Sequence, residues 1–121
     1  MANFLQELNY LSVWPLPSGP VTLTLTTNTD AQLIAAPGAL LSLYILVVSA
    51  SNTSLVLTRL DLREGPAGTI KYSMGLAVSG GGFIKRFEPW WKLPANTAFT
   101  GILGTAVTDV RVNIDYFIQA T

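Results

Sequence analysis

Apolar and polar residues alternate along most of this chain after residue 20, with the two-residue period of a β-strand. The clearest case is the run VTLTLT at residues 21–26, which would place three aliphatic side chains on one face and three threonines on the other. Turn-forming residues, such as Asn-Thr-Asp at 28–30 and Pro-Gly at 37–38, separate runs of this kind. The pattern predicts strands over residues 21–26, 31–36, 40–49, 54–62, 69–77, 83–87, 97–103 and 107–119.

Two of these runs indicate how the strands share a core. Residues 40–49, LLSLYILVVS, are almost continuously apolar, so we expect a central strand that is buried on most of both faces. The last run alternates between residues 109 and 116, so Val110, Val112, Ile114 and Tyr116 should face inward. The polar residues between them should then face outward.

Eight short strands without a convincing core helix predict an all-β fold. The 121 residues suffice for one hydrophobic core, so we expect a single domain. The expected architecture is an eight-stranded antiparallel β-sandwich of two four-stranded sheets, with a jelly roll as the preferred topology. An immunoglobulin-like sandwich is the second choice, because the chain lacks the cysteine pair of that fold.

Residues 1–20 differ from the rest and are expected to form an extended N-terminal arm, with the sandwich domain over residues 21–121. Three prolines between residues 15 and 20 favour an extended path over a regular element. Two alternatives stay open: the arm lies over the core of its own domain, or it packs against a neighbouring subunit. Helix-like spacing near its start allows one or two helical turns through Phe4, Leu5, Leu8 and Leu11.

The composition excludes several kinds of chemistry. The chain has no cysteine and no histidine, so it lacks a thiolate nucleophile, the usual general base near neutral pH and the commonest metal ligand. We therefore expect no catalytic residue, no metal and no cofactor. The net charge is zero, which argues against nucleic-acid binding, and the longest apolar run is too short to span a membrane. Only 12% of residues are charged, about half the usual share, which favours a surface that a partner covers.

Unusual residues concentrate between residues 75 and 103. The glycines at 80–82 are followed by a predicted strand rather than a helix, so they indicate a turn or bulge and not a phosphate-binding loop. Lys85 and Arg86 are adjacent in that strand and should point to opposite faces. Trp90 and Trp91 follow Pro89 in a predicted corner, where three roles stay open: a lid on the core, a protein interface or a platform for a sugar ring.

A series of local motifs runs from residue 28 to residue 117. It comprises the turn at 28–30 with the small-residue strand 31–36, the serine-rich turn at 49–54, Gly-Gly-Gly-Phe at 80–83, Glu-Pro-Trp-Trp at 88–91, the loop LPANT at 93–97 and the β-branched run with tyrosine at 110–116. In this order the motifs resemble small jelly-roll virion proteins of tailed bacteriophages, of the head-decoration (cement) and minor structural type. The resemblance implies a non-catalytic jelly roll that is present in many copies on a particle. The N-terminal arm falls outside it.

The resulting expectation is a non-enzymatic virion structural protein, made in the host cytoplasm and located on the capsid surface. Its expected partners are the major capsid protein or another virion protein and further copies of itself, with a trimer favoured. The alternative is a tail- or fibre-associated module that binds host-surface carbohydrate through the tryptophan corner. The expected interface residues are Phe4, Leu8, Trp14, Lys85, Arg86, Trp90 and Trp91.

Overall fold

A computed structural model describes residues 16–17, 19–107 and 109–121, with residues 16 and 17 described by their backbone alone. The described residues form strands and loops and contain no helix. None of them therefore belongs to a helix long and apolar enough to cross a membrane. The strands are β1 (Leu16–Pro17), β2 (Val21–Leu25), β3 (Ala31–Ile34), β4 (Leu41–Asn52), β5 (Thr58–Glu64), β6 (Ile70–Leu76), β7 (Gly81–Lys92), β8 (Phe99–Leu103) and β9 (Val110–Ala120).

The strands pair as a set of nested hairpins. β5 pairs with β6, β4 with β7, β3 with β8 and β2 with β9, and every pair is antiparallel. The nesting produces a five-stranded sheet, in which β9 and β4 are central and β7 forms one edge, and a four-stranded sheet in the order β3-β8-β5-β6. A long hairpin folded over itself in this way is a jelly roll, so the predicted β-sandwich with jelly-roll topology is confirmed.

The core lies between the two sheets and follows the predicted alternation. On β9, Val110, Val112 and Ile114 are fully buried, while Arg111 and Asn113 between them are exposed. The central run at residues 40–49 is a strand, as predicted. The fully buried side chains include the large residues Leu43, Ile45, Leu60, Leu62, Met74, Leu76, Leu93, Phe99 and Leu103.

The five-stranded sheet has one more strand than expected, because the short β1 adds to it. Leu16 and Pro17 pair with Ile118 and Phe117 of β9, on the same side of β9 as β2. Part of the segment assigned to the arm therefore joins the edge of the sandwich. Residues 1–15, which include the expected contact residues Phe4, Leu8 and Trp14, lie outside the described residues.

The predicted corner at Pro89 is wrong, because β7 continues through it from Gly81 to Lys92. Val47 of β4 pairs with Arg86 and Ile45 pairs with Trp91, so the β7 residues between Arg86 and Trp91 form a bulge opposite Leu46. A proline has no N–H to donate, and edge strands and bulges are the places in a sheet that tolerate it. Pro89, which in the sequence suggests the end of a strand, therefore lies within a single strand.

Candidate functional site

Trp90 and Trp91 have different surroundings because neighbouring residues in a strand point to opposite faces. Trp91 points inward, where its ring lies 5.3 Å from that of Phe87 and 5.2 Å from that of Phe99. Its Nε1 donates a 2.8 Å hydrogen bond to Oε2 of Glu64. Trp91 therefore closes one end of the core, as the core-lid alternative describes.

Trp90 points to the outer face of the five-stranded sheet and keeps 55% of its surface exposed. Its ring meets that of Phe117 edge-on at 4.9 Å, and Phe117 stacks on Tyr44 at 4.8 Å with the rings nearly parallel. Tyr44, Trp90 and Phe117 come from three adjacent strands and form what we call the aromatic platform. Edge-to-face and stacked contacts of this kind hold the rings in fixed positions.

A groove runs along the outer face of the same sheet, next to the aromatic platform. It consists of two depressions that follow β4 and β7, with volumes of about 280 Å³ beside Trp90 and about 560 Å³ further along the strands. Small residues explain the larger depression, because Ser49, Ser51 and Gly82 fill little space on neighbouring strands. We call these depressions together the outer groove, which is lined by Leu46, Val47, Ser49, Ala50, Ser51, Gly82, Phe83, Ile84, Arg86, Phe87, Glu88, Trp90, Asn113 and Asp115.

The charged side chains of the outer groove are not neutralised within the domain. Arg86, Glu88 and Asp115 line the depression beside Trp90, and among the described residues none of them forms an ion pair. Lys85 points to the other side of β7, as predicted, with its Nζ 5.2 Å from the ring centre of Tyr72. Lys85 and Arg86 therefore do not act at one surface.

The outer face of the four-stranded sheet is different, because its charges pair with one another. Nε of Arg59 lies 2.9 Å from Oδ1 of Asp61, and Oγ of Ser73 donates a 2.6 Å hydrogen bond to the same oxygen. Arg63 pairs with Asp30. The charges named on this face pair with one another, although the buried Nε of Arg63 has no hydrogen-bond partner among the described residues. The outer groove, in contrast, presents the exposed ring of Trp90 and charges without an ion pair among the described residues.

A second exposed surface lies where the sequence pattern predicts a strand over residues 54–62. Residues 53–57 are instead a loop, and Leu55 and Leu57 are 85% and 68% exposed. The buried side chain of Asn52 holds this loop: its Oδ1 accepts hydrogen bonds from N and Oγ of Ser54, and its Nδ2 donates to O of Val56. The sequence contains one indication of this loop: in Leu55-Val56-Leu57, apolar and polar residues do not alternate as they do in a half-buried strand.

No group of three or more side chains suited to metal binding occurs among the residues that the structure describes. Of the glycines at 80–82, Gly80 belongs to a turn, as predicted: Ser79 and Gly80 both have positive φ, and N of Gly81 donates to O of Val78. Gly81 and Gly82 are the first two residues of β7, which begins directly after this turn. The geometry accordingly offers a surface for binding, centred on Trp90.

The chain matches no protein-family model and no curated protein. Its fold is similar to that of Bacillus endospore appendages, which form disulfide-linked pili, with a TM-score of 0.53 and 18% identity over 88% of this chain and 90% of that one. The sugar-binding C-terminal domain of EclA gives a TM-score of 0.45 and 8% identity, over 88% of this chain and 82% of that one. A CBM36 domain of a xylanase from the hindgut metagenome of Trinervitermes trinervoides gives 0.38 and 13%, over 92% of both chains.

The similarity to the endospore appendage supports a small β-sandwich fold and nothing further. The identities are low, and the TM-scores of the EclA and xylanase domains are too small to support an argument about the site. Function has to be argued from the outer groove and the aromatic platform.

Proposed function

We propose that the chain is a non-enzymatic structural protein of a virion, a bacteriophage head-decoration protein that binds and stabilises the shell. The observation that carries the proposal is the aromatic platform, in which Trp90 keeps 55% of its surface exposed. Arg86, Glu88 and Asp115 lie beside it and form no ion pair with the residues that the structure describes. An aromatic centre with a polar rim is the usual composition of a protein interface, and tryptophan is the residue type most enriched at its energetic centre.

Two properties of the whole chain support an assembled protein. Charged residues make up 12% of the sequence and the net charge is zero, conditions that favour association over solubility as a free monomer. The bacteriophage resemblance covers the strands that build the outer groove, β4, β7 and β9. We therefore place the contact with the major capsid protein, or another virion protein, on the outer face of the five-stranded sheet.

The test uses particles that lack this protein. Either the wild-type chain or the variant Trp90→Ala is added to them, and its binding is measured. We expect the variant to bind at least about 30-fold more weakly, because loss of an interface tryptophan costs about 2 kcal/mol or more. Ile70→Ala is the matched control, since Ile70 is a half-exposed apolar residue of the other sheet. Equal binding by all three chains, or wild-type particles no more heat-resistant than particles without the protein, would overturn the proposal.

A second candidate function is carbohydrate binding by a tail- or fibre-associated module. The observation that favours it is the exposed ring of Trp90 beside hydrogen-bonding groups of Arg86 and Glu88, because sugar rings stack on such surfaces. A glycan array combined with tryptophan-fluorescence titration tests it. The expected result is saturable quenching that Trp90→Ala abolishes and Trp90→Phe partly retains, and a flat response across the array would exclude this function.

A further inference from the structure

We propose that the outer groove of one copy of this protein receives residues 1–15 of a second copy. This inference rests on the proposed function to the extent that both treat the outer face of the five-stranded sheet as a protein interface. The inference adds the identity of one binding partner for the outer groove, which is residues 1–15 of another copy of this protein.

The direction in which the chain enters the sheet determines where residues 1–15 can go. β1 runs antiparallel to β9, with Leu16 beside Ile118 and Pro17 beside Phe117. β1 therefore enters the sheet from the end at which Ala120 pairs with Leu41. A segment that extends β1 backward in the same direction would leave the sheet at that end without crossing the outer face of its own domain.

The sequence around this point favours continuation rather than reversal. Pro15 and Pro17 both fix φ near the extended value, and a path back over the same sheet would need a reversal next to them. Fifteen extended residues span up to about 50 Å. The outer face is only about 14 Å wide for four strands, so the segment is long enough to reach and cross the sheet of a neighbour.

The chemistry of the segment matches the outer groove. Its large apolar side chains include Phe4, Leu5, Leu8, Leu11 and Trp14. Its only charged side chain is that of Glu7, and Arg86 lines the groove without an ion pair among the described residues. Aromatic and aliphatic contacts on the platform, with one charge pair beside them, would cover both the apolar and the ionic features of this face.

Disulfide trapping tests the inference directly, because the natural chain contains no cysteine. Full-length chains carrying Leu5→Cys, Leu8→Cys or Leu11→Cys are each mixed with a full-length, ¹⁵N-labelled chain carrying Arg86→Cys, equilibrated, and oxidised with diamide. Mass spectrometry then separates mixed dimers from other products. We expect at least one of the three mixtures to give a mixed disulfide at a yield about tenfold or more above the control.

The control replaces Arg86→Cys with Leu55→Cys, whose native side chain is also exposed but lies on the loop after β4. Equal trapping at Leu55 would mean random collision and would overturn the inference. Absence of mixed disulfides at all three arm positions would also overturn it. A chain carrying both Leu8→Cys and Arg86→Cys that forms only an intramolecular disulfide would show that the segment covers its own domain, which is equally contrary to it.

The two proposals fail in different ways. If no mixed disulfide forms while Trp90→Ala still loses its binding to particles, the outer groove binds another protein and only this inference fails. If mixed disulfides form while Trp90→Ala binds particles like the wild type, the self-association stands and the decoration function on this face is lost.

Discussion

At the scale of single residues, the adjacent tryptophans show how strand geometry divides two identical side chains between two tasks. Trp91 contacts Phe87, Phe99 and Glu64 inside the sandwich, and Trp90 contacts Phe117 outside it. The sequence predicts that a tryptophan here could close the core or form an interface, but it does not show which tryptophan has which role. The assignment depends on the register of β7 past the bulge at Leu46, which is a property of the partner strand.

Alanine substitution of the two tryptophans should lower the free energy of unfolding by different amounts. Trp91→Ala should lower the free energy of unfolding by about 2 to 4 kcal/mol, since it leaves a cavity and removes the hydrogen bond to Oε2 of Glu64. Trp90→Ala should cost about 1 kcal/mol or less, because only one aromatic contact is lost at an exposed site. Urea unfolding of both variants measures the difference, and equal losses would contradict the opposite orientations.

Leu40 is a second residue whose conformation leads to a prediction. It has a φ of 63° and is 79% exposed, so it combines an unfavourable backbone region with an apolar side chain in water. Leu40→Asn should raise the free energy of unfolding by about 0.5 to 1 kcal/mol, because asparagine adopts this region more easily. The control is Leu55→Asn, which replaces an exposed leucine that is not among the positive-φ residues. Thermal unfolding should show a gain for Leu40→Asn alone.

At the scale of elements, the loop at residues 53–57 shows where the period-two pattern gave a wrong boundary. Apolar residues continue from Leu55 to Leu57, and a strand was a reasonable prediction for them. The competing influence is the buried side chain of Asn52, which bonds Ser54 and Val56 and turns the backbone locally. Ser54–Ser79 and Asn52–Gly80 backbone bonds join the loop to the turn before β7.

Removing the Asn52 side chain should loosen this loop. Asn52→Ala leaves N of Ser54 without its partner and removes one of the two hydrogen bonds to O of Val56, so we expect a loss of about 1 to 3 kcal/mol in unfolding free energy. Hydrogen exchange at Ser54 should become faster as well. Asn113→Ala is the matched control, because that exposed side chain accepts a hydrogen bond from Thr22 at the surface. Unchanged exchange at Ser54 would show that Asn52 does not hold the loop.

At the scale of the whole molecule, the sequence was sufficient for the class of fold and for its preferred topology. Strand period, turn residues and chain length together predicted a jelly-roll sandwich, since these signals are local and repeated. The outer groove was not predictable in the same way. It requires Ser49, Ser51 and Gly82 to meet across β4 and β7, and such contacts depend on pairing registers that a single sequence does not contain.

The expected composition of the interface leads to a prediction about how salt affects binding to particles. The net charge is zero, and the interface is expected to be mainly aromatic and aliphatic. Raising NaCl from about 0.05 M to about 0.5 M should therefore change the affinity for particles less than about threefold. Sedimentation of particles with bound protein across this range measures it. A loss of more than about tenfold would mean that Arg86 and the other charges dominate the contact.

The nesting of the hairpins also constrains how the chain is made. Thr22 and Asn113, which lie side by side at the edge of the five-stranded sheet, are 91 residues apart along the chain. During synthesis β2 and β4 therefore have no β9 to pair with until residues 110–120 have left the ribosome. Pairing over such separations slows folding and exposes unpaired strand edges in the meantime. Until β9 is available, the unpaired edges of β2 and β4 can associate with those of other nascent chains, so folding at low local concentration favours the native pairing.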